Sequence, residues 1–222
     1  MRRGDVAEAI LSLAASRERA AAMAGDFVED TTMSGGQFWW LVARTAMAQA
    51  WRQLAASPRA VAGVAIRGML AELGIVLAAC VAYALLLLVA ISVLRVGFTR
   101  DVPDWAVWGL AWLVSHLAVP FQVGWWMARR WPGQEGAGSL ALAGLHSAIA
   151  LAAGCVLGVA ARSGATAHID VILGLRIIYW DGADGSAFQS AAYHATVYPL
   201  LLLAGAAWFR LRSFQPCAPA RT

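Results

Sequence analysis

LGIVLAACVAYALLLLVAISVL, residues 73–94, carries no charged side chain and shows no polar face at helical spacing. At about 1.5 Å rise per residue, such a helix reaches across a hydrocarbon core about 30 Å thick. Three further runs share the property: no Asp, Glu, Lys or Arg occurs in 105–128, 136–161 or 185–209. A large soluble bundle would need polar faces on its outer helices, and these runs have none. The composition agrees, with 60% apolar and 14% charged residues against the quarter charged that is usual for soluble domains.

The expected fold is therefore all-α: a polytopic membrane protein with an antiparallel four-helix transmembrane bundle and an N-terminal amphipathic helical hairpin. The spans are placed at about 69–94, 105–128, 138–161 and 190–209. Residues 1–68 form a cytoplasmic or interfacial prefix, 162–189 an outer loop and 211–222 a tail. Connections as short as that between the second and third spans force antiparallel neighbours.

In the prefix, Val6, Ile10 and Leu13, then Ala24, Phe27 and Val28, recur at helical spacing, interrupted by Glu8, Arg17, Glu18 and Arg19. The opening stretch is too broken by charge to read as a signal peptide. After the turn-forming Thr31, Thr32, Ser34, Gly35 and Gly36, a second helix puts Phe38, Leu41, Val42 and Thr45 on one face, with Gln37 and Arg44 pointing away. Arg52 and Gln53 return to that face, so the stripe fades. Trp39, Trp40 and Trp51 beside Arg44, Arg52 and Arg59 suit either the headgroup layer or a small soluble hairpin. Pro58 should break the helix before the first span.

Orientation follows from arginine. With the N-terminus in the cytoplasm, that side holds Arg52, Arg59, Arg67, Arg129, Arg130, Arg210, Arg212 and Arg221, against Arg95, Arg100, Arg162 and Arg176 outside. Both termini are expected in the cytoplasm. In the outer loop, IDVILGLRIIYW (169–180) is too short to span and should lie on the membrane surface or fold back on the bundle, ending at the turn formed by Asp181, Gly182, Asp184 and Gly185.

Every cationic side chain is arginine, which removes lysine Schiff-base and lysine general-base chemistry. Cys80 and Cys155 fall in spans and Cys217 in the tail, with no disulfide framework and no metal-ligand spacing. No phosphate-binding loop, nucleophile elbow or HExxH is present. No cofactor, metal or nucleic acid is expected, and the chain is not read as an enzyme.

Polar groups at membrane depth should face the bundle interior. The candidates are His116 and Gln122 in the second span, His146 in the third and His194 near the outer end of the fourth. With each helix centred in the bilayer, only His116 and His146 come close to the similar depth that a bis-histidine haem would require. Glu72 falls near the cytoplasmic end of the first span. Pro120 denies the His116 carbonyl its helical donor, Pro199 does the same to Ala195, and both helices should kink. Gly154 and Gly158 form a GxxxG suited to close packing within the chain or between copies.

MAGDFVED (23–30) followed by GGQFWWLVARTAMAQAWRQ (35–53) resembles the cytoplasmic helical prefix of some bacterial ABC-type permeases and of related multi-span proteins, where a GD-x-x-E element precedes a tryptophan-rich helix. The resemblance covers about a quarter of the chain and implies a bacterial inner membrane and an assembly role. The chain departs from those permeases in having no large extracytoplasmic domain between its spans. The functional expectation is a non-enzymatic accessory, assembly or regulatory protein of the bacterial inner membrane, in contact with the lipid bilayer and with a membrane-protein partner or a second copy. The alternatives are a small permease built on the kinked helices and, more remotely, a histidine-ligated redox protein.

Overall fold

A computed structural model describes residues 2–30, 33–93, 113–162, 168–173, 176–181 and 186–213. The described residues are mainly helical, with seven α-helices and one small hairpin among them. The helices are α1 (Arg3–Leu11), α2 (Arg17–Glu29), α3 (Gly35–Ala56), α4 (Pro58–Val93), α5 (Val119–Arg130), α6 (Glu135–Arg162) and α7 (Ser186–Ser213). Among the described residues, three stretches are long and apolar enough to cross a membrane: Pro58–Leu86, Glu135–Val156 and Gln189–Ser213. The second expected span, 105–128, begins outside the described residues, as does the connection 94–104; from Leu113 onward it is helical.

Ser57 leaves helical geometry and Pro58 restarts the chain as the first residue of α4, where its missing N–H costs nothing. The expected break is present, but the helix starts about three turns before the expected 69. Its far half is bare of partners: Leu77, Val81, Tyr83, Leu85, Leu86, Leu88 and Val89 are all exposed. So many outward apolar side chains on one helix, with no polar face among them, suit a lipid surrounding.

The bundle core joins Val64, Ala65 and Val76 of α4, Val119, Val123 and Met127 of α5, Leu142 and Ala143 of α6, and Tyr198 and Leu202 of α7. The tightest seam lies between α5 and α7, where a Cβ on Gly124 would overlap the Leu202 carbonyl and one on Gly205 would overlap the Phe121 carbonyl. Two backbones in contact admit only glycine there. The GxxxG of α6 does not play this part, because a Cβ on Gly158 would meet nothing within 4 Å, although Gly154 is buried.

Before Pro120 the chain forms a π-turn, Val114–Ala118, closed by the Val119 N–H on the Val114 carbonyl. The extra residue accommodates the proline ring and displaces the helical ladder. In α7 the helix runs on through the buried Pro199.

The prefix differs from the expected hairpin by a third helix, because residues 12–16 interrupt the first. No proline or glycine causes that break; Leu13 turns into one end of the bundle to pack with Ala128 and Ala206. Its carbonyl accepts the Gly136 N–H at 2.7 Å, capping one of the donors that the start of α6 leaves over. Gln53 Nε2 donates to both Ala14 O and Gly133 O at 2.9 Å, Gly133 taking the positive φ of 83° that turns α5 into α6. The prefix keeps a core of its own, with Ala7, Leu11, Ala20, Ala24, Phe38 and Val42 packed together and the Arg3 guanidinium 3.7 Å above the Phe38 ring. Ser34 and Gln37 close the start of α3 by reciprocal hydrogen bonds.

Within the expected outer loop, β1 (His168–Leu173) pairs antiparallel with β2 (Arg176–Asp181), His168 opposite Asp181. This hairpin takes up the segment expected to lie on the surface or fold back. The turn at 182–185 and the tail with Cys217 lie outside the described residues.

Candidate functional site: a buried carboxylate, histidine and tyrosine centre

Six polar or charged residues are buried among the described residues, and three of them meet between α4, α6 and α7: Glu72, His146 and His194, each 1% exposed. An unpaired polar group in hydrocarbon costs several kcal/mol, roughly, so such residues gather. Glu72 is the sole acidic residue of α4. Its Oε2 accepts the Tyr198 hydroxyl at 2.5 Å and lies 3.3 Å from His146 Nε2.

The other ring nitrogens are fixed from behind. His146 Nδ1 is 2.9 Å from the Leu142 carbonyl, and His194 Nδ1 is 2.7 Å from that of Ser190. A carbonyl only accepts, so each Nδ1 carries hydrogen. The two imidazoles stack with centroids 5.1 Å apart and planes within 8°, and the Tyr198 ring is 5.1 Å from each.

His146 and His194 were expected at different depths. Ser147 Oγ on Ala191 O, and Arg210 on Glu135 at the end of the bundle, set a stagger between α6 and α7 that levels them. The centre lies about three turns along α6 from Glu135 and about three turns before Arg210 on α7, so roughly 16–18 Å from that pair. Glu72, expected at the cytoplasmic end of its span, belongs to this interior because α4 starts at Pro58. Sequence reading undervalued it; the signal was the lone carboxylate in a 36-residue apolar helix.

The remaining sequence candidates divide. The His116 ring packs 5.2 Å from Tyr193, whose hydroxyl donates to the His116 carbonyl, the group that Pro120 leaves without its α-helical donor. Tyr193 also packs edge-on against His194, so His116 and the buried Pro120 adjoin the centre through this tyrosine. Gln122 is exposed and stands outside it. Pro199 follows Tyr198 directly and is buried beside it in the chain. The ring stacked on His146 is that of His194, and face-to-face stacking leaves no room for a flat macrocycle between them.

A second buried carboxylate, Glu135, takes the Arg210 guanidinium, with Nε at 2.9 Å from Oε1 and Nη2 on the same oxygen. Around this end stand three Arg–Trp contacts: Arg67 over Trp131, Arg129 over Trp125 and Arg212 over Trp208. Guanidinium and indole together are at home in the interfacial layer. Among the described residues no group of three or more His, Cys, Asp or Glu is arranged to hold a metal ion. Comparison of the chain with protein-family models, with curated proteins and with solved structures finds no match in any of the three.

Proposed function

We propose that the chain is a non-enzymatic four-span protein of a bacterial inner membrane, with both termini in the cytoplasm, that acts as an accessory, assembly or regulatory partner of another membrane protein. The observation that carries this reading is the prefix. It is pinned to the bundle by Gln53 and Leu13, yet α3 turns Trp40, Met47 and Trp51 to the outside, 70%, 44% and 56% exposed, with Arg44 and Arg52 among them. Aromatic residues, methionine and arginine are the types enriched where proteins bind. The Arg–Trp contacts at one end of the bundle support the cytoplasmic side chosen by arginine counting.

A photo-crosslinking residue at position 40 or 51, in cells, should give one protein adduct of the same mass from both positions, and none from the buried position 38. Adducts with lipid alone would overturn the partner role and place α3 in the headgroup layer. Reporter fusions after residues 133 and 215 should read cytoplasmic and those after 100 and 175 external; a cytoplasmic reading at 175 would remove the four-span arrangement. The buried centre favours a second reading, a small permease whose polar site is shared by α4, α6 and α7.

A further inference from the structure

We propose that Glu72 and His146 form a proton-binding site in the bundle interior, holding exactly one proton between Glu72 Oε2 and His146 Nε2 at neutral pH. This goes beyond the partner role and does not depend on it. The argument is one of donors and acceptors. His146 Nδ1 gives its hydrogen to the Leu142 carbonyl 2.9 Å away. In the neutral ring, Nε2 is then a bare lone pair, sealed from solvent and without a hydrogen bond of its own. The atom it faces at 3.3 Å is a carboxylate oxygen, also an acceptor when ionised. Two buried acceptors facing each other with no donor between them are repulsive in a low dielectric, so the combination of neutral histidine and ionised glutamate is the one this geometry disfavours. A single proton resolves it, either on Nε2, giving imidazolium beside carboxylate, or on Oε2, giving a carboxylic acid that donates to Nε2. Transfer between the two moves one proton and leaves the net charge of the pair at zero.

The surroundings limit the site to one. His194, stacked at 5.1 Å, has its Nδ1 hydrogen on Ser190 O, and a second positive ring parallel to the first would repel it. Tyr198 donates to the same Glu72 Oε2 that faces His146. Tyr193 packs against His194 and Tyr198, and His116 lies beyond it. From α5 the core receives Val119, Val123 and Met127, none of them titratable, and the charged pair Glu135–Arg210 stands about three turns away along α6. Because Glu72 is on α4 and its two partners are on α6 and α7, release of the proton turns a joining contact into facing acceptors and loosens α4 from the other two helices.

The test uses the full chain in lipid nanodiscs, labelled with ¹³C and ¹⁵N at histidine, with magnetic resonance reading the protonation of His146 and infrared spectroscopy reading the carboxylic-acid band of Glu72. Assignments come from His146→Gln and Glu72→Gln. At neutral pH the wild type should show either imidazolium with carboxylate or neutral ring with carboxylic acid, the two fractions adding to one proton. A neutral His146 together with an ionised Glu72 would overturn the proposal, as would imidazolium together with a protonated acid. In Glu72→Gln the amide can donate to Nε2, so His146 should be neutral; imidazolium persisting there would also overturn it. If Glu72→Gln does not fold, the wild-type spectra decide alone.

Discussion

Two carboxylates are buried among the described residues of this bundle, and they are satisfied in different ways. Glu135, at the arginine-rich end, takes two guanidinium hydrogen bonds from Arg210, a group that does not lose its charge at any ordinary pH. Glu72, about three turns deeper, has a tyrosine hydroxyl and an imidazole, neither of which is a fixed cation. The first arrangement is a clasp between α6 and α7 whose cation is fixed. The second depends on where a proton is. Fixed charge is placed where arginine can still reach water, with Arg210 20% exposed, and the interior is left to groups that can be neutral together.

The comparison is broken most forcefully at the clasp. Arg210→Met leaves Glu135 buried without its cation, a change that costs about 3–5 kcal/mol in buried pairs, less whatever Glu135 recovers by taking up a proton. The expected result is a large drop in thermal midpoint in detergent, with Glu135→Leu/Arg210→Met recovering much of it. If the single and double variants melt together, the clasp is not what joins α6 to α7. At the deeper carboxylate, Tyr198→Phe removes one hydrogen bond while His146 remains, so a loss of about 1 kcal/mol is expected. A loss as large as that of Arg210→Met would show that Glu72 is held as a fixed charge as well. The smallest effect is predicted for His116→Leu, under about 1 kcal/mol, because Tyr193 uses the backbone carbonyl of residue 116, which the substitution retains. A larger loss would bring the His116 ring into the centre.

The three helices long and apolar enough to span were legible because hydrocarbon tolerates so little charge that absence of Asp, Glu, Lys and Arg over about 20 residues is itself the signal. Contacts between helices were not, because they depend on stagger. Centring each helix separately paired His116 with His146 by depth; the actual register, set by Ser147 and by Glu135–Arg210, stacks His146 on His194. The glycines show the same dependence on stagger. The motif in α6 drew notice to Gly158, which faces open space, while the backbone contact uses Gly124 and Gly205, single glycines on different helices that no spacing rule links. The break at residues 12–16 left no mark either, since Leu13 leaves its helix to fill a tertiary site. The expectation at Pro120 was a kink; the structure has a π-turn before it, with the Tyr193 hydroxyl on the His116 carbonyl.

Gln53 has a consequence for biosynthesis. One of its two acceptors, Gly133, lies 80 residues further along the chain, and Leu13 likewise waits for Gly136. At about 5–20 residues per second, the prefix is complete for roughly 4–16 seconds before those acceptors have even been polymerised. During that interval its small core must hold α1, α2 and α3 together unaided, with Leu13 and the Gln53 amide still unengaged. Docking can occur only once α4 and α5 have been made and the chain has turned back at Gly133. In the four-span arrangement proposed above, the seated prefix then registers that the first membrane hairpin has been inserted with both ends on the same side.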